Sequence, residues 1–366
     1  MFVHQSRLEY LLQPYHYVDA QHYQREVERL FLPAWHLVGT CGKLAQPGDF
    51  VTLEHLDRPV LLRNIDGEIH AFLNVCAHRH CLLTHRPHGH DPTFRCQYHG
   101  WEYTKEGRTA RIPDASCFRP FDRENARLEK FRVGTAGDLV FVALSDDAPS
   151  LEEYLGEYDA ICRDAFAPPY RLARAWQYEL SCNWKVPIEN TLEAYHIPSV
   201  HPKTLKEHPS EENSEHTLGD ACTTLTTPEP PSLARAMQNF LIRRLGLTPT
   251  NVYIHHHIHP NLVIIRMDVM RLVQVYIPTS PTTCRFQVLL YTPRGRSRGP
   301  LRFLVSRLLK RLVTWVARRI IEEDRGIFAD QQRGLQSSVH PGALGTLEER
   351  LYVFHKWVLE QCDRPA

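Results

Sequence analysis

The sequence predicts an α+β protein: a short helical start, a small β domain, then a larger domain mixing helices and strands. Three observations carry this. Between Leu37 and about Leu144 the chain reads as short strands and turns. Strand-like runs recur over residues 170–181 and 262–292, between helical stretches. No internal repeat is visible, and 366 residues at 43% hydrophobic and 23% charged leave room for roughly two domains.

The elements follow in order. Residues 1–36 form an N-terminal helical segment, with EVERLFLPAWHLV leading into the first strand. Residues 37–145 form the β domain. Here VTLEHL, PVLLRN, the pair Asp66-Gly67 and EIHAFLNV predict a hairpin on a type I′ turn, and LVFVAL a closing strand. Residues 146–366 form the larger domain. SLEEYLGEYDAICRDAF reads as a helix; the polar, Pro-rich stretch 203–232 reads as a long surface loop. NLVIIRMDV, LVQVYIP and RFQVLLYTP read as strands, and LRFLVSRLLKRLVTWVARRIIEEDRGIFADQQRGL and LEERLYVFHKWVLEQC as closing helices.

Composition excludes several classes. A net charge of +1 provides no global field for nucleic acid or membranes. The N-terminus MFVHQSRLEYLLQPYHY has no signal-type apolar run, and no stretch of about 18 uncharged apolar residues predicts a membrane span. Ten cysteines are too sparse for a disulfide scaffold, so reduced thiols and a cytoplasmic compartment are expected.

The 22 histidines become informative where they neighbour cysteines. CAHRHCLLTHRPHGHDPTFRCQYHGW holds Cys76-x-His78 and Cys96-x-x-His99. A structural zinc site groups Cys with Cys and His with His. Here each loop supplies one of each, as a Rieske [2Fe–2S] centre needs, with two thiolates on one iron and two imidazoles on the other. His80, His85, His88 and His90 read as loop residues. Cys81 stands where high-potential Rieske proteins carry a disulfide cysteine, but Tyr98 holds the partner position and cannot bond. Trp101 replaces the hydroxyl two residues after the second histidine. Fewer donors to sulfur imply a low potential.

Downstream, NWKVPIENTLEAYHIPSVHP resembles the catalytic motif of the α subunits of Rieske non-haem iron oxygenases, the ring-hydroxylating dioxygenases with their monooxygenase and demethylase relatives. With the first motif, the resemblance runs over nearly the whole chain. It implies a Rieske domain followed by a catalytic domain whose antiparallel sheet is flanked by helices. It also implies mononuclear Fe(II) in a facial triad of two histidines and a carboxylate. His196 and His201 are the expected histidines, with Pro198 between them expected to break or bulge the helix. Asp324 matches the third ligand, with Glu322, Glu323 and Asp330 as competing carboxylates. Glu193, three residues before His196, matches an acidic residue that bridges a neighbouring subunit's Rieske histidine to the iron site. Having Glu here adds quaternary ammonium compounds such as carnitine to the expected substrates. Asn190 matches an Asn beside the iron, and Trp184 reads equally as a packed core aromatic or a residue with a direct role.

The resemblance further implies a homotrimer and a reductase, with or without a ferredoxin, passing electrons from NAD(P)H. O2 and a small organic substrate, aromatic or quaternary amine, are the other partners. A Rieske ferredoxin without oxygenase activity is the alternative. The cationic helix Arg302, Arg307, Lys310, Arg311, Arg318, Arg319 reads as a solvated face opposite a Leu/Val/Trp core face, or as a dock for an acidic partner or membrane. His255, His256, His257 and His259 fall on a likely strand, where one or two can line a pocket, and the HPNL run from His259 to Leu262 resembles a family segment near it.

Overall fold

A computed structural model describes residues 6–122, 125–205, 213–295 and 299–363. It divides into two compact units, Leu32–Arg163 and the combination of Met1–Phe31 with Asp164–Ala366. The opening segment therefore belongs with the larger unit, and the breaks fall at 31/32 and 163/164 where the sequence suggested 36/37 and 145/146. The segment is also less helical than it reads. Asp19 caps α1 (Ala20–Glu26) by accepting from the His22 N–H at 2.7 Å, and the chain then widens into a π turn over Val27–Phe31.

The smaller unit is a seven-stranded antiparallel sheet of β1 (Trp35–Thr40), β2 (Asp49–His55), β3 (Arg58–Ile65), β4 (Glu68–Leu73), β5 (His88–His90), β6 (Lys130–Ala136) and β7 (Leu139–Ala143). Its order is β1-β7-β6-β4-β3-β2-β5. Asp66 and Gly67 join β3 to β4 with φ of 55° and 92°, the two positive values a type I′ turn requires. Alternation along β3 splits the core in two. Val60 and Leu62 pack with Val140 and Val142, while Leu61 turns to the opposite cluster with Phe72, Cys76 and Cys96. Each such buried aliphatic side chain stabilises by about 1.5–3 kcal/mol. The stretch expected as one helix is two, α2 (Leu151–Leu155) and α3 (Glu157–Ala165), because Gly156 sits between them at φ 53°.

The larger unit continues with β8 (Tyr170–Leu180), α4 (Lys185–Leu192), α5 (Ile197–Val200), β9 (Glu215–Leu218), β10 (Cys222–Pro228), α6 (Leu233–Arg244), β11 (Val252–Ile258), β12 (Leu262–Met267), β13 (Met270–Ser280), β14 (Thr283–Pro293), α7 (Pro300–Ser337) and α8 (Glu349–Asp363). Its antiparallel sheet runs β8-β14-β13-β12-β11-β10-β9. Val263, Gln274, Val288 and Trp176 stand in cross-strand register at its centre. Two strands, β9 and β10, occupy the stretch read as surface loop; residues 206–212 of it lie outside the described residues. The Thr-rich run CTTLTTP overrides its polar surroundings. Threonine is β-branched and suits a pleated strand, and here Thr223 and Thr227 turn inward, both buried. Thr223 also accepts a hydrogen bond from Arg350 Nε at 3.1 Å.

Candidate functional site

The smaller unit presents two loops of equal build. Bridges Val75–Leu82 and Arg95–Glu102 close them. In each, the leading cysteine N–H donates to the carbonyl five residues on, Cys76 to Cys81 and Cys96 to Trp101, both at 2.8 Å. The amide four residues on donates back, His80 to Cys76 and Gly100 to Cys96, both at 3.1 Å. That return needs a left-handed residue, supplied by His80 at φ 57° and Gly100 at φ 70°. Cys76 and Cys96 end up buried with their thiols side by side, and the His78 and His99 rings lie 4.8 Å apart. His78 Nδ1 is buried with no hydrogen-bond partner. A buried orphan imidazole nitrogen beside two buried thiols calls for a metal centre, so the residues fit a [2Fe–2S] group of the Rieske type.

The surroundings add a donor absent from the sequence reading. The Tyr103 hydroxyl lies 3.0 Å from Cys76 Sγ and accepts from the Ala77 N–H at 3.1 Å. Toward a thiolate, only the hydroxyl can donate. The signal was available as Tyr103, seven residues after Cys96, but nothing in the spacing says the fold returns it to Cys76. Trp101 stacks on His78, centroids 4.7 Å apart and planes 5° from parallel, with Phe118 and Phe121 at its edges. Cys81 is a free thiol and Tyr98 is exposed. His85 bonds Gln97 at 2.6 Å and His90 pairs with Asp49 at 3.1 Å, on the surface.

In the larger unit, α4 is anchored from below. Trp184 Nε1 donates to Glu26 at 2.8 Å, and Lys185 Nζ meets the other Glu26 oxygen at 2.5 Å, with Lys185 and Glu26 fully buried. The Tyr17 hydroxyl donates to Glu189 at 2.5 Å, and His355 Nε2 lies 3.0 Å from the same oxygen. Trp184 is thus a packed core aromatic with a satisfied N–H. The helix ends at Leu192, and Glu193 is extended (φ −128°, ψ 167°). The expected break at Pro198 is not there. Pro198 lies in the first turn of α5, where its missing N–H removes no helix bond. Glu193 and His196 accordingly share no helical face. Instead the Glu193 carboxylate folds back on the turn, accepting the His196 backbone N–H at 3.1 Å and meeting His196 Nδ1 at 2.5 Å.

Across from them, the second half of α7 supplies the carboxylates. Asp324 Oδ1 lies 2.9 Å from His201 Nε2 and 3.7 Å from His196 Nε2, and accepts from Asn190 Nδ2 at 3.2 Å. One ligand atom from each of His196, His201 and Asp324 fits within 4.8 Å of the others. Both histidines have Nδ1 engaged, His196 by Glu193 and His201 by Glu323 at 3.0 Å, so both turn Nε2 to the same point. This donor set fits a facial triad.

Glu323, a carboxylate competing with Asp324 in the sequence, instead stands behind His201. It is also bonded by Thr204 and by Arg319 at 2.8 Å. Burial opposes its charge, yet Thr204, His201 and Arg319 outweigh it and hold its carboxyl down at about 2. Burial likewise opposes charge on His201, and Asp324 and Glu323 hold its pKa above the usual histidine range. Glu322 pairs with Arg325 at 2.6 Å, and Asp330 is exposed, so neither joins the triad. The histidines of β11 are core residues: His255 Nδ1 meets Arg350 at 2.8 Å, His256 Nδ1 meets Thr224 at 2.9 Å, and His257 Nε2 meets the Pro260 carbonyl at 3.1 Å. His259 stacks on Trp357 at 4.5 Å.

Comparisons with known proteins agree with both halves. Residues 169–364 match the model "Ring hydroxylating alpha subunit (catalytic domain)", and residues 34–131 match "Rieske [2Fe-2S] domain". Chlorobenzene dioxygenase subunit alpha of Cupriavidus sp. (strain PS12) is 35% identical over 50% of this chain and 42% of its own. The carnitine monooxygenase oxygenase subunit of Acinetobacter pittii (strain PHEA-2) is 30% identical over 51% of each. The chain thus spans about half the length of the curated relatives it matches. Among solved structures, a quaternary ammonium Rieske monooxygenase in complex with L-carnitine superposes with TM-score 0.79 at 21% identity, covering 96% of each chain. Naphthalene 1,2-dioxygenase from Rhodococcus sp. superposes with TM-score 0.73 at 19% identity, covering 97% of this chain and 95% of that one. At these identities the superpositions speak to the fold.

Proposed function

This chain belongs to the family of ring-hydroxylating alpha subunits, and from that membership we propose that it is a terminal oxygenase hydroxylating or oxidatively demethylating a small aromatic compound or quaternary amine. The observation that carries the reading is the convergence of His196, His201 and Asp324 on one point, in a chain that also holds the Cys76, His78, Cys96, His99 set. When bound, the iron supplies O2 chemistry, and the cluster supplies electrons that start at NAD(P)H and pass through a reductase, with or without a ferredoxin. A Rieske protein limited to electron transfer is set aside, since it has no use for the catalytic-domain match over residues 169–364.

The chain's own residues divide the work. His196, His201 and Asp324 would hold the metal, each offering one ligand atom to the same point. Glu193 and Glu323 fix the two ring orientations from behind, and Asn190 fixes Asp324. Glu193 also stands as the link to His78 or His99 of a neighbouring subunit in a homotrimer. Two large aromatics beside metal ligands, Tyr98 next to His99 and Tyr195 next to His196, are left exposed, which suits such a junction.

Anaerobically prepared protein is expected to give the rhombic EPR signal of a mixed-ligand [2Fe–2S] centre and to bind one further Fe(II). Oxygen uptake with a reductase, screened with aromatic acids against quaternary amines, identifies the substrate class. His196→Ala and His201→Ala should lose the mononuclear iron and turnover while keeping the cluster spectrum. Zinc alone in elemental analysis, or no second iron site, sinks the reading.

A further inference from the structure

The first half of α7 is apolar on two sides. Val305, Leu309, Val313, Ala317 and Ile321 face inward, as a surface helix requires. A second stripe, Leu301, Leu304, Leu308, Leu312 and Trp315, is exposed, Leu304 by 64% and Trp315 by 66%. Its spacing of three and four residues keeps it on one side of the helix over about 21 Å. The expectation of Trp315 in a core face thus fails. The neighbouring helix α6 repeats the pattern, leaving Leu233, Met237 and Phe240 exposed at the same spacing.

Charge says what covers these stripes. The stretches Leu233–Arg244 and Pro300–Ile321 contain no acidic residue. They carry Arg235, Arg243, Arg244, Arg302, Arg307, Lys310, Arg311, Arg318 and Arg319, of which Arg235 pairs with Glu229, Arg318 with Glu322 at 4.0 Å and Arg319 with Glu323 at 2.8 Å. At 100° per residue, Arg307, Arg311 and Arg318 fall along one flank of the exposed α7 stripe, and Arg244 stacks over Phe240 at 4.9 Å. Lys310 is held below the usual lysine range by partial burial and by Arg174, Arg294 and Arg307 around it. Two copies of such a face would repel one another in a symmetric contact. Leucine, phenylalanine and tryptophan rimmed by arginine is the composition of a helix that lies in a lipid headgroup layer. None of the described helices is long and apolar enough to cross a membrane, so the contact lies along a surface.

We propose that α6 and the first half of α7 seat this protein on the surface of an anionic phospholipid bilayer. The test is co-sedimentation of full-length, cluster-loaded protein with sonicated vesicles of phosphatidylglycerol and phosphatidylcholine, against phosphatidylcholine alone. Most of the protein should pellet with the anionic vesicles at low salt, little with the neutral ones, and high salt should release a large share. Leu304→Glu with Leu308→Glu should cut the bound fraction at least tenfold, and Arg307→Gln with Arg311→Gln should weaken it only on anionic vesicles. Both variants should keep the wild-type cluster absorbance and the wild-type mass by light scattering. No pelleting of wild-type protein, or equal pelleting of the leucine variant, overturns the proposal. So does a fall in oligomeric mass of that variant, which would make the face a contact between copies. Retained vesicle binding with loss of reductase-driven turnover would likewise overturn it, as a docking face for an acidic protein.

Discussion

Glu193 touches His196 twice, through the backbone N–H and through Nδ1, and this double contact sets what a single substitution should do. Glu193→Gln keeps size and polarity but removes the charge-assisted acceptor. Iron should still load and the cluster should still reduce, while electron transfer between them slows by orders of magnitude, read by stopped-flow decay of the reduced-cluster spectrum. Reoxidation at the wild-type rate would leave Glu193 a local turn residue only. Glu323 acts on the other histidine. Glu323→Gln should lower mononuclear Fe(II) or Co(II) affinity by roughly 10–100-fold with the cluster spectrum unchanged, measured by anaerobic metal titration. Tyr103 belongs to the cluster. The potential should sit low in the Rieske range, about −150 mV, and Tyr103→Phe should lower it further by removing a donor to Cys76 Sγ. A rise on voltammetry would contradict that role. The mixed cysteine and histidine loops and the pair His196 and His201 were legible because motif spacing names them. Glu323 and Tyr103 were not, because their partners are more than twenty residues away in sequence.

Among the elements, α4 depends on a buried ion pair. Lys185 and Glu26 are both fully buried, and burial alone would raise the Glu26 carboxyl, yet Lys185 and His22 hold it below the usual range. Lys185→Met keeps the volume and strands the Glu26 charge. Breaking one partner of such a pair costs about 3–5 kcal/mol. The urea midpoint should fall accordingly, and the mononuclear metal site should loosen with it, because α4 leads directly into Glu193 and His196. An unchanged midpoint would mean that His22 and the Trp184 N–H suffice for Glu26. Helix and strand types were readable where period and turn residues agreed, as at the Asp66-Gly67 hairpin. They misled where one residue decided, as at Gly156, or where a threonine run sat inside a polar stretch, as at β10.

Taken as a whole, the molecule buries an unusual set of neutral histidines. His255, His256, His257 and His259 all have pKa values lowered by burial, His256 and His257 to about 3. A histidine lowered in the folded state is protonated first in the unfolded chain. Stability therefore falls as pH drops below the unfolded value near 6.5, and keeps falling until the folded value is reached. Each group contributes about 1.4 kcal/mol per pH unit across that window. Urea midpoints should be flat from pH 8 to 7 and drop steeply between pH 6.5 and 5. A flat profile there would mean these rings are hydrated or cationic in the fold.

Sequence by itself determined the two domain types, the mixed cysteine and histidine loops, and the histidine pair of the catalytic motif. Each of these is written in neighbouring residues, and short-range geometry follows from short-range spacing. Only the tertiary structure decided which of four acidic residues on α7 meets the histidines. On a helix, position around the axis relative to a partner element selects one carboxylate, and here the packing of α4 against α7 turns Asp324 to the histidine pair and Glu323 to the back of His201. It also decided that the opening segment anchors α4 through Tyr17 and Glu26. Finally, it left the Leu301–Trp315 stripe uncovered, since a periodic apolar pattern says that a face will be covered but not by what.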